Sequence, residues 1–198
     1  MAREKSGLLS AVGTALEIIR AIVEAVQDLG GSDDDVRRIL IESDLRGKIA
    51  KLLVFKTLRV FKVICDCGKT LTEMINDGNY GYVDSNITQQ NFPIQRSGRR
   101  QMEVALFHFD RIIVSEQAVA EMDKVGYRPA TIEEFLALGA SQPELQNDPM
   151  VALGSLWHGL SNKCFVTCLC WSGGDRDLDL VSYESNWNEH YRFAAVCE

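Results

Sequence analysis

The most informative segment of the chain is GYRPATIEEFLALGA, residues 126–140. Its Thr131 and Glu134 form a capping box, in which the hydroxyl accepts one free N–H of the first helical turn and the carboxylate accepts another. The spacing therefore predicts a helix that starts after Thr131. Gly126, at the other end of the segment, is typical of the residue that follows a preceding helix. The segment thus joins two predicted helices.

The residues before this segment predict a strand and then a helix. SEQAVAEMDKVG, residues 115–126, has helical periodicity with Ser115 as its N-cap. QMEVALFHFDRIIV, residues 101–114, is typical of one long strand. Further back, LRVFKVICDC at 58–67 alternates as a strand does, and residues 71–76 predict one or two helical turns.

The residues after it predict an antiparallel sheet. Four apolar runs, at 150–157, 162–171, 177–183 and 191–197, are separated by turns rich in Gly, Asn and Asp. Residues 58–198 are therefore expected to form one α+β domain with two helices and a mainly antiparallel sheet.

Residues 1–57 predict a small helical bundle. The first helix is expected over about 6–29, where Gly30 and Gly31 end it. Ser32 is expected to cap a second helix and Ser43 a third. The first helix carries one broad apolar face, made of Leu9, Val12, Leu16, Ile19, Ile22, Val23 and Val26. The bundle is expected either to mediate oligomerisation or docking, or to cover one face of the chain's own C-terminal domain; a helix-turn-helix DNA binder is a third alternative.

Charge and polarity limit the classes of partner. The formal net charge is -7, and most of the excess acid follows residue 57, which disfavours a nucleic-acid partner. The arginines around Gly98 (Arg96, Arg99 and Arg100) are more typical of a solvated hairpin turn than of an anion site. Polar residues from Glu17 to Gln27 interrupt the N-terminal apolar run, so we expect no signal peptide, no membrane partner and a cytoplasmic protein.

The candidate catalytic and metal-binding residues form no known constellation. Cys65 and Cys67 are expected to face one way on a strand, as are Cys164, Cys168 and Cys170. Structural zinc usually requires C-x2-C turns, so we expect reduced, mainly buried thiols, no metal and no cofactor. His108 is expected on a strand face, and no nucleophile and base adjoin in the sequence. The chain is therefore expected not to be an enzyme, although an enzyme of unknown class remains an alternative.

Two short phrases resemble the C-type-lectin-like fold and its formylglycine-generating-enzyme-like relatives. Residues 127–135, YRPATIEEF, are similar to the family phrase R-L-P-T-x-x-E-W, and residues 192–198, RFAAVCE, are similar to its final strand. The resemblance covers about 102–198 and implies a strand, two helices and then a set of strands. Calcium-dependent lectins carry a Glu-Pro-Asn or Gln-Pro-Asp loop and a Trp-Asn-Asp strand. Gln142-Pro143-Glu144 lies before the strands, in the wrong place for that loop, and Asn186-Trp187-Asn188-Glu189 matches the second motif only partly. Calcium-dependent sugar binding is therefore not expected. A second resemblance is to a family of uncharacterised proteins in bacteria with reduced genomes, and it implies no activity. It is carried by the segments GYRPATIEEFLALGA, PELQ, VALGSLW and RFAAV.

The same fold hosts the variable proteins of diversity-generating retroelements, and residues 157–191 resemble their variable stretch. The resemblance implies an adaptable binding surface on the loops 157–161, 171–177 and 183–191. The expected binding residues are Trp157, His158, Trp171, Asp175, Asp177, Tyr183, Asn186, Trp187, Asn188, His190 and Tyr191. At least one tryptophan is expected to be exposed, with Trp187 favoured because its neighbours are polar. With Asp179, the aspartates Asp175 and Asp177 are expected to line a solvated sheet face.

The sequence therefore favours a non-enzymatic module that binds an unknown protein or small molecule and that a retroelement could diversify. A structural protein that self-assembles through its N-terminal helices is the first alternative. Concentration-dependent assembly would favour that alternative, whereas a bound metal or a thiol of lowered pKa would favour an enzyme.

Overall fold

The chain divides into two compact units, each of which is described by itself. The computed structural model describes residues 2–43, 45, 49, 59–159 and 163–197. The units are Met1–Lys51 and Leu52–Glu198. The boundary expected at residue 57 lies outside the described residues.

The first unit contains two described helices, α1 (Ala2–Asp28) and α2 (Asp33–Ile41), which contact each other. Gly30 ends α1 in the left-handed region, with φ of 78°, which a residue with a Cβ rarely adopts. Ser32 precedes α2, and its backbone N–H donates to Asp35 Oδ2 at 2.8 Å. Most of the expected third helix lies outside the described residues. Within the part of the chain that the structure describes, no helix has the length and apolarity needed to span a membrane.

The second unit is α+β, as predicted, and is built around one large sheet. Its helices are α3 (Leu71–Gly78), α4 (Ser115–Asp123) and α5 (Ile132–Ser141), followed by a 3-10 turn (Pro143–Asn147). Its strands are β1 (Arg59–Asp66), β2 (Tyr82–Val83), β3 (Arg99–His108), β4 (Ile113–Val114), β5 (Tyr127–Pro129), β6 (Met150–His158), β7 (Cys164–Ser172), β8 (Asp175–Ser182), β9 (Asn186–Trp187) and β10 (Arg192–Cys197).

Among the described residues of this unit, three helices occur where two were expected. Residues 71–76 form the core of the extra helix, α3, which extends to Gly78. Thr70 caps it: its backbone N–H donates to Glu73 Oε2 at 2.7 Å, and its hydroxyl accepts from the Glu73 N–H at 3.2 Å. The capping box makes this short segment a full helix.

The sheet is mainly antiparallel, and β10 lies in its interior. The order is β1-β3-β10-β6-β7-β8-β2, with β5 also paired to β10. The β10–β6 and β8–β2 pairs are parallel and the other pairs are antiparallel. The single long strand expected at 101–114 is wrong, because β3 ends at His108 and β4 pairs instead with β9 in a separate two-stranded sheet.

Each face of the large sheet covers its own hydrophobic core. One core packs the sheet against α5 and α3 and includes Phe135, Leu138, Leu169 and Leu178. The other packs the opposite face against α4 and the β4–β9 pair and includes Phe107, Met122, Val166 and Phe193. We call these the α5 face and the α4 face. Strand side chains alternate between them.

Arg176 joins three elements on the α5 face. Its guanidinium donates to Gly78 O and Gly139 O, both at 2.5 Å, and to the Gln146 side-chain oxygen. It also lies 5.0 Å from the centre of the Tyr80 ring. The two backbone acceptors belong to the last turns of α3 and α5, where carbonyls lack helical partners and a positive charge is favoured.

Candidate functional site

The structure divides the expected binding residues between two ends of the sheet. Trp157 and His158 lie at the end of β6, where they pair with Phe165 and Cys164 at the start of β7. Trp171, Asp175 and Asp177 lie around the turn from β7 into β8. The two groups are separated by the length of β7, about 26 Å at about 3.3 Å per residue. One compact ligand therefore cannot contact both groups.

The expected residues also lie on different faces. Trp157 packs at the α5 face, with its ring centre 5.4 Å from that of Phe165. Trp171 is opposite Arg176 in the β7–β8 pair, so it shares that face, and it is 52% exposed. The expectation of at least one exposed tryptophan is met by Trp171.

Trp187 is not exposed, and this part of the expectation is wrong. Trp187 is 1% exposed, and its indole N–H donates to Ser115 Oγ at 2.9 Å. Ser115 Oγ in turn donates to Tyr183 O at 2.5 Å. Ser115 was expected to be the N-cap of α4, but it is the first residue of that helix and Val114 is the N-cap. Its buried hydroxyl instead links Trp187 to the backbone of Tyr183. The polar neighbours of Trp187 misled the prediction because β9 directs the indole alone into the core.

The rest of the loop 183–191 is partly accessible. Asn186, Asn188 and His190 are exposed, whereas Tyr183 and Tyr191 are half-buried against the core of the α4 face. The Tyr191 ring packs edge-on to Trp187, with ring centres 4.9 Å apart. His108 lies beside the loop as a strand-face residue, with Nε2 2.6 Å from Glu189 O.

The aspartates of β8 share the α4 face with two cysteines. Asp177 is opposite Cys170, and Asp179 is opposite Cys168. The hydrogen bond with Cys168 lowers the pKa of the Cys170 thiol, although burial and the charges of Asp177 and Asp179 act against it. Within the described ranges, no group of three His, Cys, Asp or Glu residues is arranged to hold a metal ion.

Cys65 lies on β1 and Cys67 lies in the turn directly after it, and the two side chains face one way, with their Sγ atoms 3.5 Å apart. Both are buried as free thiols. Burial, the hydrogen bond with Cys67 and the nearby acidic groups raise the pKa of Cys65 to about 12. The Cys65 thiol is therefore unreactive at neutral pH, because only the thiolate is nucleophilic.

Two consecutive buried glutamates, Glu133 and Glu134, form the first turn of α5. Glu134 is fully buried and its carboxylate is saturated with donors. Oε1 accepts from Arg96, Arg100 and Arg128 at 3.0, 2.8 and 2.7 Å. Oε2 accepts from Arg128 at 2.8 Å and from the Thr131 N–H at 2.9 Å, the carboxylate half of the predicted capping box. The predicted capping box is present at the start of α5, although the Thr131 Oγ1 contact with the Glu134 N–H falls short of a hydrogen bond and Oγ1 has no other partner among the described residues.

Glu134 is ionised because its partners outweigh its burial. Burial alone would raise its pKa, but the hydrogen bonds from Arg128 and the Thr131 N–H, with the charges of Arg128 and Arg96, hold the pKa below the usual range. Three guanidinium groups thus surround one carboxylate and leave an excess of about two positive charges. They line an open cleft of about 620 Å³. Its other lining residues are Gln101, Met102, Val196 and Cys197.

Glu133 has the opposite environment. It is 2% exposed, yet it makes no hydrogen bond or ion pair with any other residue that the structure describes. It lines a groove of about 630 Å³ that lies against β1, α3 and α5. The other lining residues are Lys62, Val63, Ile64, Asp66, Lys69, Met74, Asp77, Arg99, Leu136, Ala137, Ala140 and Ser141. Its carboxylate oxygens are not sealed in the core and open into this groove, where a ligand can reach them.

The sequence contained a signal for part of this site only. The capping box points to Glu134, and Arg96, Arg99 and Arg100 form a compact group around Gly98 in the sequence. That group divides in the structure: Arg96 and Arg100 contact Glu134, whereas Arg99 lines the groove. Interpreting the whole group as a solvated turn is therefore wrong for Arg96 and Arg100. No sequence pattern predicted a role for Glu133 or Arg128, because their neighbours in space lie on β1, β3 and β5, which are distant from one another in the sequence.

No protein-family model, no curated protein and no solved structure matches this chain at a significant level.

Proposed function

We propose that the second unit is a non-enzymatic binding module with a C-type-lectin-like arrangement. The element order supports this assignment. A strand, β3, leads into the helices α4 and α5, the strands β6 to β8 follow, and β10 returns beside β3. This is the order that the phrases at 127–135 and 192–198 imply.

The ligand that we propose is an extended segment of a partner protein, bound along β1. The observation that carries the proposal is the groove of about 630 Å³ beside the outer edge of β1. Among the described strands, β1 is at the end of the sheet order and pairs on one side only, with β3. An extended peptide that joins such an edge gains main-chain hydrogen bonds, and the adjoining groove selects its side chains.

The charge of the groove favours a segment with a basic side chain. Lys69 already bonds Asp77 at 2.5 Å. Glu133 has no ion-pair partner among the described residues, so a lysine or arginine of the segment would pair with its carboxylate. Leu136 and Ala137 of α5 supply an apolar wall beside Glu133. The occupant is therefore expected to alternate apolar and polar residues around one basic residue.

Backbone amide NMR of the full chain tests this proposal. The probes are two sets of ten-residue peptides that alternate Thr and Val, one with a central Lys and one with a central Glu. We expect the Lys set to shift the amide signals of β1, and Glu133→Gln to weaken that binding about tenfold or more. Glu103→Gln is the matched control, because Glu103 is exposed on the neighbouring strand β3. Binding of neither set, or equal binding to Glu133→Gln, would refute the proposal.

One observation favours the second candidate, self-assembly through the first unit. Leu9, Val12, Leu16, Ile19, Val23 and Val26 recur at alternating spacings of three and four, the pattern of a coiled-coil seam. Leu16 and Ile19 are exposed on α1. A seam of this kind fits a second copy of the same helix.

Light scattering of the full chain over a range of concentrations tests the second candidate. We expect a mass above that of the monomer, which Leu16→Glu combined with Ile19→Glu restores to the monomer value. Ala21→Glu is the control, because position 21 lies away from the seam. A monomeric mass at every concentration would exclude this assembly.

A further inference from the structure

We propose that the cleft lined by Arg96, Arg100 and Arg128 binds the phosphate group of a small phosphomonoester. The cleft lies where β3 begins and β5 and β10 pair, at the end of the sheet that carries Cys197. It is distinct from the groove beside β1, and the inference does not rest on the function proposed there.

The guanidinium groups are held in place by the buried carboxylate of Glu134. Arg128 binds it in a bidentate fork, at 2.7 and 2.8 Å, and this single pair already neutralises the carboxylate. Arg96 and Arg100 add one hydrogen bond each to the same oxygen, Oε1. Glu134 therefore acts as an anchor that positions three cations side by side.

The surplus charge indicates what the cleft would take. Neutralising Glu134 requires one guanidinium, so, counted over this carboxylate and the three arginines that bind it, two positive charges remain within hydrogen-bonding distance of Oε1. Like charges held this close repel each other, and an anion between them removes the repulsion. A phosphomonoester carries about two negative charges at neutral pH, which matches the surplus, whereas a carboxylate carries one.

The accessible donors point to the same ligand. The side chains of Arg96 and Arg100 are 37% and 41% exposed, and each makes a single hydrogen bond to Glu134. A guanidinium has five N–H donors in a planar fork, so donors remain on both arginines for a phosphate. Arginines in this arrangement provide several charge-assisted hydrogen bonds to one phosphate group.

The remaining walls favour an organic ester. The cleft of about 620 Å³ is within the range of about 300–1,000 Å³ that is typical of small-molecule sites. Met102 and Val196 offer an apolar surface beside the arginines, and Gln101 offers an amide. The phosphate would contact the arginines while the organic part lies against the apolar wall.

Calorimetric titration of the full chain with defined probes tests the inference. The probes are phenyl phosphate, inorganic phosphate and benzoate, at constant ionic strength because salt screens such contacts. We expect phenyl phosphate to bind most tightly and benzoate most weakly. Affinity for phenyl phosphate should also fall below about pH 6, where the phosphate loses its second negative charge.

Variants of neighbouring arginines supply the decisive comparison. We expect Arg96→Gln and Arg100→Gln each to weaken phenyl phosphate binding about tenfold or more, and the double variant to abolish it. Arg99→Gln removes the same charge one residue away, from a side chain that lines the groove instead, and should change the affinity less than threefold. Thermal unfolding verifies that each variant is folded. If the double variant does not fold, the affinities of the two single variants decide the test.

Three results would overturn the inference. These are absence of phenyl phosphate binding at millimolar concentration, binding of benzoate as tight as that of phenyl phosphate, and an equal loss of affinity in Arg99→Gln and Arg100→Gln. The last result would mean that the total charge of the domain attracts the anion, without a specific site.

Discussion

Glu134→Gln should destabilise the second unit strongly, because it removes the buried negative charge that accepts hydrogen bonds from three arginines. Removing one partner of a buried ion pair costs about 3–5 kcal/mol. Arg96 and Arg100 are more than one-third exposed, and water screens their share. Arg128, at 23% exposure, carries most of the effect. We therefore expect a loss of about 3 kcal/mol in the free energy of unfolding, or roughly 6–12 °C in Tm.

The loss should depend on pH in a defined direction. Because the folded pKa of Glu134 is lowered, its contribution to stability is complete above the unfolded value of about 4.5. This contribution disappears as the pH falls through the lowered folded pKa. The stability difference between the native protein and Glu134→Gln should therefore be constant near neutral pH and decrease progressively below about pH 4.5.

Urea unfolding, followed by tryptophan fluorescence from pH 3 to pH 8, measures both effects. Glu133→Gln is the matched control, since Glu133 is the adjacent residue and almost equally buried but has no ion-pair partner. It should leave stability unchanged or raise it slightly. If Glu134→Gln costs less than about 1 kcal/mol, or costs no more than the control, the buried carboxylate does not organise the arginines as described.

Three further predictions concern the core and the exposed loops. Trp187→Phe should lower the free energy of unfolding by about 1–2 kcal/mol, because the hydrogen bond to Ser115 is lost, whereas Trp171→Phe should change it by less than about 0.5 kcal/mol; urea midpoints measure both. Tyr80→Phe should raise stability by about 1 kcal/mol, because the buried Tyr80 hydroxyl has no partner among the described residues; a lower urea midpoint would contradict this. If a retroelement diversifies the gene, sequencing across its source population should find substitutions in 157–191 at adenine-bearing codons of exposed residues, whereas even variation over buried and exposed positions would reject diversification.

The elements with strong local signals were predictable from the sequence. The capping box at Thr131 and Glu134 placed α5, because the signal lies within one helical turn. Alternation placed β1 and brought Cys65 and Cys67 to one face. The end of β3 at His108 was not predictable from the local sequence, because β4 leaves the large sheet to pair with β9, which follows about 70 residues later.

The candidate site was less predictable, because distant strands create it. Arg99 and Arg100 are neighbours of equal charge, and only the register of β3 directs one to the groove and the other to Glu134. Arg128 joins them from β5. The sequence composition gives the number of these charges but does not show which of them lie at Glu134 and which at the groove. Trp187 shows the same limit, since its burial depends on Ser115 in α4.

The interior position of β10 sets an order of events during synthesis. β10 pairs with β3, β5 and β6, but it follows β3 by about 85 residues. At about 5–20 residues per second, the ribosome needs roughly 4–17 s to supply it. During that interval one edge of β3 has no partner, and the two halves of the sheet cannot join. The nascent chain should therefore require chaperone protection until residue 197 has left the exit tunnel, after which the sheet can close in a single step.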